Sequence, residues 1–183
     1  FLKNGDFTGI NVTVPYKKTV IPYLDQLTEM AQKMGAVNTI VRRGGRLIGH
    51  NTDPFGFLTM LEDSGLQVSG KKVLVLGSGG ASNTAVAVLK DLGAQVVIIS
   101  RSGENNYENL YLHSDADVIV NTTPVGMYPN TDACPIDLYS FPNLTGVIDA
   151  IYNPLRTNLV LDAKARGIPA NGGLYMLVSQ DLA

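Results

Sequence analysis

The sequence predicts an α/β protein in two parts: a smaller α/β domain, then a doubly wound parallel sheet. Three observations carry this. Val73-Leu74-Val75-Leu76 is a continuous apolar run, as expected of a strand buried on both faces of a parallel sheet. It leads into a glycine-rich turn, Gly77-Ser78-Gly79-Gly80-Ala81-Ser82, which opens an alanine- and leucine-rich helix. Beyond that helix, apolar strands and helical patterns continue to alternate. The expected division is residues 1–64 and 65–172, with a last helix at 173–183 running to the chain end.

In chain order, Gly9 to Val14 is β-prone and ends at Pro15. Residues 16–34 read as helical but broken at Pro22, which cannot continue a helix from the preceding turn. From Leu24 to Met34, Leu24, Leu27, Met30, Ala31 and Met34 share one helical face, and Gly35 is a natural stop. Val37 to Arg42 and Arg46 to Gly49, joined through Gly44-Gly45, read as a β-hairpin. Asp53 to Asp63 reads as a helix with Phe57, Met60 and Leu61 on its apolar face; Asp53 suits the cap and Pro54 the first turn. After the strand at Val73, a helix is expected at Ser82 to Leu92. Strands are expected at Gln95 to Ser100, Asp117 to Asn121 and Gly146 to Ala150, and helices at Asn158 to Arg166 and Leu174 to Leu182. The connection from Arg101 to Asp115 is too short for a usual crossover helix and leaves room for two turns around Tyr107 to Leu112.

Composition narrows the function classes. The chain has 183 residues, 45% of them hydrophobic, and a net charge of −2. That balance gives no electrostatic reason to expect nucleic acid or an anionic membrane as partner. No apolar run approaches the roughly 18 residues that span a bilayer, and the opening Phe1-Leu2-Lys3-Asn4-Gly5 lacks a signal-peptide layout. A single cysteine, Cys134, excludes an internal disulfide, fits a reducing compartment and reads as an inert small side chain. The expected location is the cytoplasm.

The glycine-rich turn points to a dinucleotide. Gly77 permits the tight turn, Gly79 lets the backbone approach a pyrophosphate, and free N–H groups at the helix start hold the anion. Ser82 stands where the fingerprint has Gly or Ala. The next strand ends at Ser100-Arg101-Ser102, where an arginine suits a 2′-phosphate better than an acidic residue would, so NADP is favoured over NAD. Glu104 nearby works against that selectivity.

A redox cofactor beside a lysine and an aspartate suggests a dehydrogenase with its own proton donor. Lys17 and Asp53 are the expected pair: hydride transfer to a ketone leaves an oxygen that needs a proton. A lysine drawn partly out of water can supply one, and a carboxylate beside it holds and orients it. Thr13, Asn38 and Asn51 are candidate hydroxyl ligands, though each also suits a turn or cap. His50 adjoins Asn51-Thr52-Asp53 at a hairpin end, and His113 reads as a surface residue. No His, Cys and carboxylate cluster has metal-site spacing, and no Gly-x-Ser-x-Gly elbow is present.

Seven motifs in order resemble those of the shikimate dehydrogenases. They are Asn11 to Lys17, Gly35 to Thr39, Asn51 to Asp53, Gly77 to Ala81, Asn121 to Met127, Asp149 to Pro154 with Thr157, and Gly173 to Leu177 with Gln180. The resemblance runs from Gly9 to Gln180. It implies a two-domain enzyme that reduces 3-dehydroshikimate to shikimate with NADPH, in the biosynthesis of chorismate and the aromatic amino acids. Residues 1–64 would then be the substrate domain, with the last helix at 173–183 packing back on it, and 65–172 the Rossmann-like cofactor domain. By matching position, Lys17 is the catalytic lysine and Asp53 its partner at the substrate. Thr13, Asn38, Tyr152 and Gln180 join Asp53 in the substrate pocket. Gly77, Ser78, Gly79, Gly80, Ala81, Ser100, Arg101 and Ser102 bind the cofactor phosphates, while Thr122, Thr123, Met127, Ile151 and Gly173 line the nicotinamide side. No metal is implied, and the assembly is a monomer or homodimer.

The chain departs from the family pattern in three places. An opening segment with a serine pair for the substrate carboxylate would precede Phe1; without its strand, the sheet around Val12 and Ile40 is expected to expose an edge and to favour instability or association. The family's Asn-Arg-Thr reads Ser100-Arg101-Ser102, without the basic residue that often follows. The third departure is the short Arg101–Asp115 connection. Rival readings are an NAD-dependent quinate or quinate/shikimate dehydrogenase, a folate-linked dehydrogenase of similar layout, and a non-catalytic NADP- or metabolite-sensing fragment.

Overall fold

A computed structural model describes residues 1–13, 15–180 and 182. Val14, the end of the expected opening strand, and Asp181 and Ala183, at the end of the expected last helix, lie outside the described residues. The chain divides into two compact units, Phe1–Asp53 and Pro54–Ala183. The sequence reading ends the first domain later, at residue 64.

The first unit is built on four strands. β1 (Gly9–Asn11) is followed by a single helical turn, α1 (Tyr16–Thr19), and by β2 (Gln26–Leu27), α2 (Glu29–Met34), β3 (Thr39–Arg43) and β4 (Arg46–His50). The strand order is β1-β3-β4-β2. β3 and β4 form the expected hairpin, with Arg43 opposite Arg46. Gly44 and Gly45 both take positive φ, 57° and 78°, as a two-residue turn of this hand requires. Ile40 is fully buried in β3, between β1 and β4, and β1, which leads into Val12, is an outer strand of the sheet among the described residues.

The expected helix from Leu24 to Met34 is shorter than its spacing suggests. Gln26–Leu27 instead pairs in parallel with Ile48–Gly49. Gly49 makes this possible: a Cβ there would lie 2.6 Å from Leu24 and 2.8 Å from Leu27. Helix begins only after Thr28, whose hydroxyl accepts the Ala31 N–H, and ends at Gly35 in the left-handed conformation.

The second unit begins within α3 (Asp53–Asp63). β5 (Lys72–Leu76), α4 (Gly80–Asp91), β6 (Gln95–Ile99), β7 (Val118–Asn121), β8 (Gly146–Asp149), α5 (Asn158–Ala165), β9 (Ala170–Asn171) and α6 (Leu174–Gln180) follow. All five strands are parallel, in the order β6-β5-β7-β8-β9. β9 adds a fifth strand that two residues could not announce in the sequence.

The apolar run of β5 is buried on both faces, as its composition predicts. Leu74 and Leu76 pack with Ile119, Val147, Leu159, Val160 and Ala163 on one side. Val73 and Val75 pack with Val118, Val120, Ile148, Ala85 and Leu89 on the other. Phe57, Met60 and Leu61 of α3 join this second cluster, as does Met176 of α6. These contacts place both helices in the sheet-bearing unit. At Gly56 a Cβ would meet the Met176 carbonyl at 2.5 Å and Gln180 at 3.2 Å, so the glycine lets α6 close onto α3.

The Arg101–Asp115 connection carries no full helix. It holds one 3₁₀ turn, Leu110–His113, later than the turns expected at Tyr107 to Leu112. Among the described residues no helix is long and apolar enough to cross a membrane.

Candidate active site

Lys17 and Asp53 meet in the first unit. Lys17 Nζ donates to Asp53 Oδ2 at 2.6 Å. The lysine backbone is fixed as well, because its carbonyl accepts the Val37 N–H at 2.8 Å. Asp53 stands at the start of α3, where the N-terminal end of the helix favours a negative charge. Both partners keep some exposure, 28% for the lysine side chain and 13% for the aspartate, so the pair is reachable by a ligand.

Asn38 organises the carboxylate from behind. Its Nδ2 donates to Asp53 Oδ1 at 3.0 Å and to Thr52 Oγ1 at 2.9 Å, while its Oδ1 accepts from Thr52 N at 3.0 Å and Thr39 Oγ1 at 3.1 Å. Asn51 is buried, with Nδ2 on the Ala36 carbonyl and Oδ1 taking the Asp53 N–H. Thr13 is exposed, and its carbonyl receives the Tyr16 N–H at the start of α1. Thr52 and Thr39 complete the network. The signal that finds Thr52 is its place inside the Asn-Thr-Asp motif.

The glycine turn lies at the C-terminal edge of the parallel sheet, where open α/β sheets bind their ligands. Gly77 has φ 109°, and a Cβ on it would meet Thr122 Oγ1 at 2.8 Å. Around Gly79 and Gly80 a Cβ would meet nothing within 4 Å, which leaves the backbone of the turn open to an incoming group. Ser82, the departure from the fingerprint, is fully buried and donates to the Gly77 carbonyl at 2.7 Å. Its hydroxyl braces the turn from inside.

A cleft of about 610 Å³ opens over this turn. Gly77, Ser78, Gly79, Ser100, Arg101, Thr122 and Thr123 line it, so seven of the expected cofactor residues converge. Gly80 and Ala81 begin α4 beside them. Glu104 is absent from the lining, and its carbonyl accepts from Asn109 Nδ2 at 2.8 Å. Tyr107, Pro124, Val125, Cys134 and Pro135 also line the cleft, and the sequence reading singled out none of them for it. They sit in irregular connections, where no periodicity marks a facing side chain. Cys134 is thus a wall residue of the cleft; its thiol donates to the Ile136 carbonyl at 3.3 Å, and burial pushes its pKa up.

Polar residues at the ends of β7 and β8 hold the floor of the cleft. Asn121 Oδ1 accepts from Thr123 N at 3.0 Å and Thr123 Oγ1 at 2.7 Å, and Asn121 Nδ2 donates to Asp149 Oδ1 at 3.0 Å. Thr157 Oγ1 and the Ile151 N–H donate to the same buried carboxylate. Burial pushes the Asp149 pKa up, while the bonds from Thr157, Ile151 and Asn121 pull it down. The signal was available: both residues are polar and close otherwise apolar strands.

The other predicted residues occupy separate places. Ser102 is exposed just beyond Arg101, and Met127 is exposed in the loop after β7. Ile151 is buried after β8, and Gly173 packs so closely on Ala150 that a Cβ would lie 2.1 Å from its carbonyl. Tyr152 is half exposed, and Gln180 lies against Gly56 of α3. His50 ends β4 with its carbonyl on the Asn38 N–H. His113, expected at the surface, is partly exposed; its Nε2 meets Asn105 Oδ1 at 2.9 Å, and its Nδ1 is buried without a hydrogen-bond partner in the described structure. Among the described residues no group of three or more His, Cys, Asp and Glu could hold a metal ion.

A family model for the shikimate dehydrogenase substrate binding domain matches residues 1–40. The NADP(+) shikimate dehydrogenase of Symbiobacterium thermophilum is 39% identical over 197 aligned positions, covering 94% of this chain and 67% of the relative. The chain belongs to the shikimate dehydrogenase family. Two solved structures share its fold. Shikimate 5-dehydrogenase from Thermus thermophilus, in complex with NADP(H) and shikimate, is 33% identical with a TM-score of 0.86, covering 98% of this chain and 71% of that one. Quinate dehydrogenase from Corynebacterium glutamicum, in complex with NAD, is 29% identical with a TM-score of 0.87, covering 95% and 70%. The motif order therefore identifies the family correctly.

Proposed function

We propose that this family member catalyses the NADP-linked interconversion of 3-dehydroshikimate and shikimate, with Lys17 carrying the proton. The observation that carries the chemistry is the 2.6 Å contact of Lys17 Nζ with Asp53 Oδ2, at the start of a helix and partly open to solvent. In the reducing direction, hydride reaches the substrate carbonyl carbon. The C=O π pair moves to oxygen, which takes a proton from the Lys17 ammonium. Asp53 holds the lysine, Asn38 holds Asp53, and the two form the side of the pocket that takes the substrate's hydroxyls. The same residues run the oxidation in reverse.

The open turn of Gly77 to Gly80 fits a pyrophosphate: α4 begins there and its first N–H groups have no partner inside the helix. NADPH held there would supply the hydride for reduction, and NADP would accept it in the oxidation. Arg101 in the cleft lining favours a cofactor with a 2′-phosphate. Residues 1–64 act as the substrate domain and 65–172 as the cofactor domain. The contact of α6 with Gly56 supports the return of the last helix to the segment that starts at Asp53. Thr13, Tyr152 and Gln180 complete the substrate pocket. The enzyme works in the cytoplasm, on a small-molecule substrate, in aromatic biosynthesis.

The test is a matrix of two substrates and two cofactors. Purified protein is offered shikimate or quinate with NADP or NAD, and reduced nicotinamide is followed by absorbance. The reading requires the shikimate–NADP pair to have the highest kcat/KM. Preference for quinate with NAD would replace it by the quinate dehydrogenase reading, and binding of NADP without any turnover would replace it by a sensor.

A further inference from the structure

Between Arg101 and Tyr107 the chain has no second basic residue. The structure puts another donor in the cleft. Tyr107 lines it together with Ser100 and Arg101. Its ring is held on the inner side, packed against the core cluster that contains Ile99 and Leu76. Burial raises the phenol's pKa while the Arg101 charge lowers it, so the hydroxyl stays protonated near neutrality and lies within the field of the guanidinium.

The connection that carries Tyr107 is braced on both sides. The Asn105 carbonyl accepts the Ser100 N–H at 3.1 Å, which ties the residue two places before the tyrosine to the end of β6. Asn106 N donates to Asn109 Oδ1 at 2.7 Å, and Asn106 Oδ1 accepts from Glu108 N at 2.9 Å and Asn109 N at 3.3 Å. His113 Nε2 holds the Asn105 side chain. A loop closed in this way holds the tyrosine beside Arg101 in the cleft lining. Its ring loses little rotamer freedom on binding.

We propose that the Tyr107 hydroxyl shares the 2′-phosphate of NADP with Arg101, and so takes part in cofactor selection. The proposal rests on the reading that the Ser100 to Ser102 end of the cleft holds that phosphate. An O–H donated to a dianionic phosphate is a charge-assisted bond, and NAD offers only a ribose hydroxyl there.

The test measures binding of 2′,5′-ADP and of 5′-AMP by calorimetry, for the native protein, Y107F and R101A. Phenylalanine keeps the ring and its packing, so the fold is retained, and melting temperature verifies this. The expected result is that Y107F lowers the preference for 2′,5′-ADP over 5′-AMP roughly tenfold, as loss of one charge-assisted bond implies. If R101A loses the preference and Y107F keeps it, Arg101 holds the phosphate alone and the proposal falls. If Y107F weakens both nucleotides equally, the tyrosine only shapes the cleft, and the proposal also falls. If R101A itself leaves the preference unchanged, the phosphate lies elsewhere and the underlying reading fails with it.

Discussion

Lys17 Nζ lies 2.6 Å from Asp53 Oδ2, and the other oxygen of that carboxylate accepts from Asn38 Nδ2 at 3.0 Å. The carboxylate is therefore held from two sides and keeps the ammonium in one place. Residues 36 positions apart in the chain meet because β3 and β4 fold back as a hairpin and α3 starts directly after it. The pair is part of the first unit's own hydrogen-bond network, so its alignment is set before any ligand arrives.

Asn38 is the hinge of that network, and its loss should reach both stability and turnover. Asn38→Ala leaves Thr52 N, Thr39 Oγ1 and Asp53 Oδ1 each without a partner. The cost should be about 1–3 kcal/mol, read by urea unfolding, with a parallel fall in kcat for shikimate oxidation. Unfolding and kcat both matching the native protein would show that the network is dispensable.

Gly77 should not tolerate even alanine. Its φ of 109° strains any side chain, and Thr122 Oγ1 stands 2.8 Å from the position of a Cβ. Gly77→Ala should weaken NADP binding by at least roughly tenfold, since a turn shifted by a few tenths of an ångström misaligns several N–H donors at once. Isothermal titration checks this. An affinity equal to that of the native protein would remove the turn from the cofactor site.

Asp149 gives a dependence on pH with a definite sign. Burial raises its carboxyl pKa in the folded protein above the unfolded value, so the native state holds the proton more tightly. Its contribution to stability is present below the ordinary carboxylate value of about 3.9. That contribution is lost as pH climbs through the raised native value. Asp149→Asn cannot ionise, and its amide can donate to Thr157 Oγ1 while its oxygen keeps the bonds from Asn121 and Ile151. Relative to this variant, the native protein should lose melting temperature as pH rises across that window. Parallel pH courses for the two proteins would contradict the assignment.

Much of this was legible in the residues, for physical reasons that differ from element to element. Val73 to Leu76 and Val118 to Val120 announced themselves because a strand covered on both faces must be apolar throughout. Leu24 and Leu27 misled because they satisfy helical spacing, yet they pack where Gly49 leaves room, and the chain there runs as a strand. β9 was invisible because two residues carry no period. Ser82 departs from the glycine motif, and only the folded turn gives the reason: its hydroxyl donates to the Gly77 carbonyl. Lys17 and Asp53 were legible as motif words, whereas Tyr107 and Cys134 face the cleft from irregular loops and nothing local in the sequence gives their direction.

The most direct test compares Lys17→Ala with the native protein in shikimate oxidation at saturating NADP, with NADP affinity measured alongside. General acid/base help is worth roughly 10²–10⁴ in rate, so kcat should fall at least about a hundredfold while the Kd for NADP changes less than about twofold. A variant that turns over shikimate at the native rate would contradict the central claim that Lys17 carries the proton.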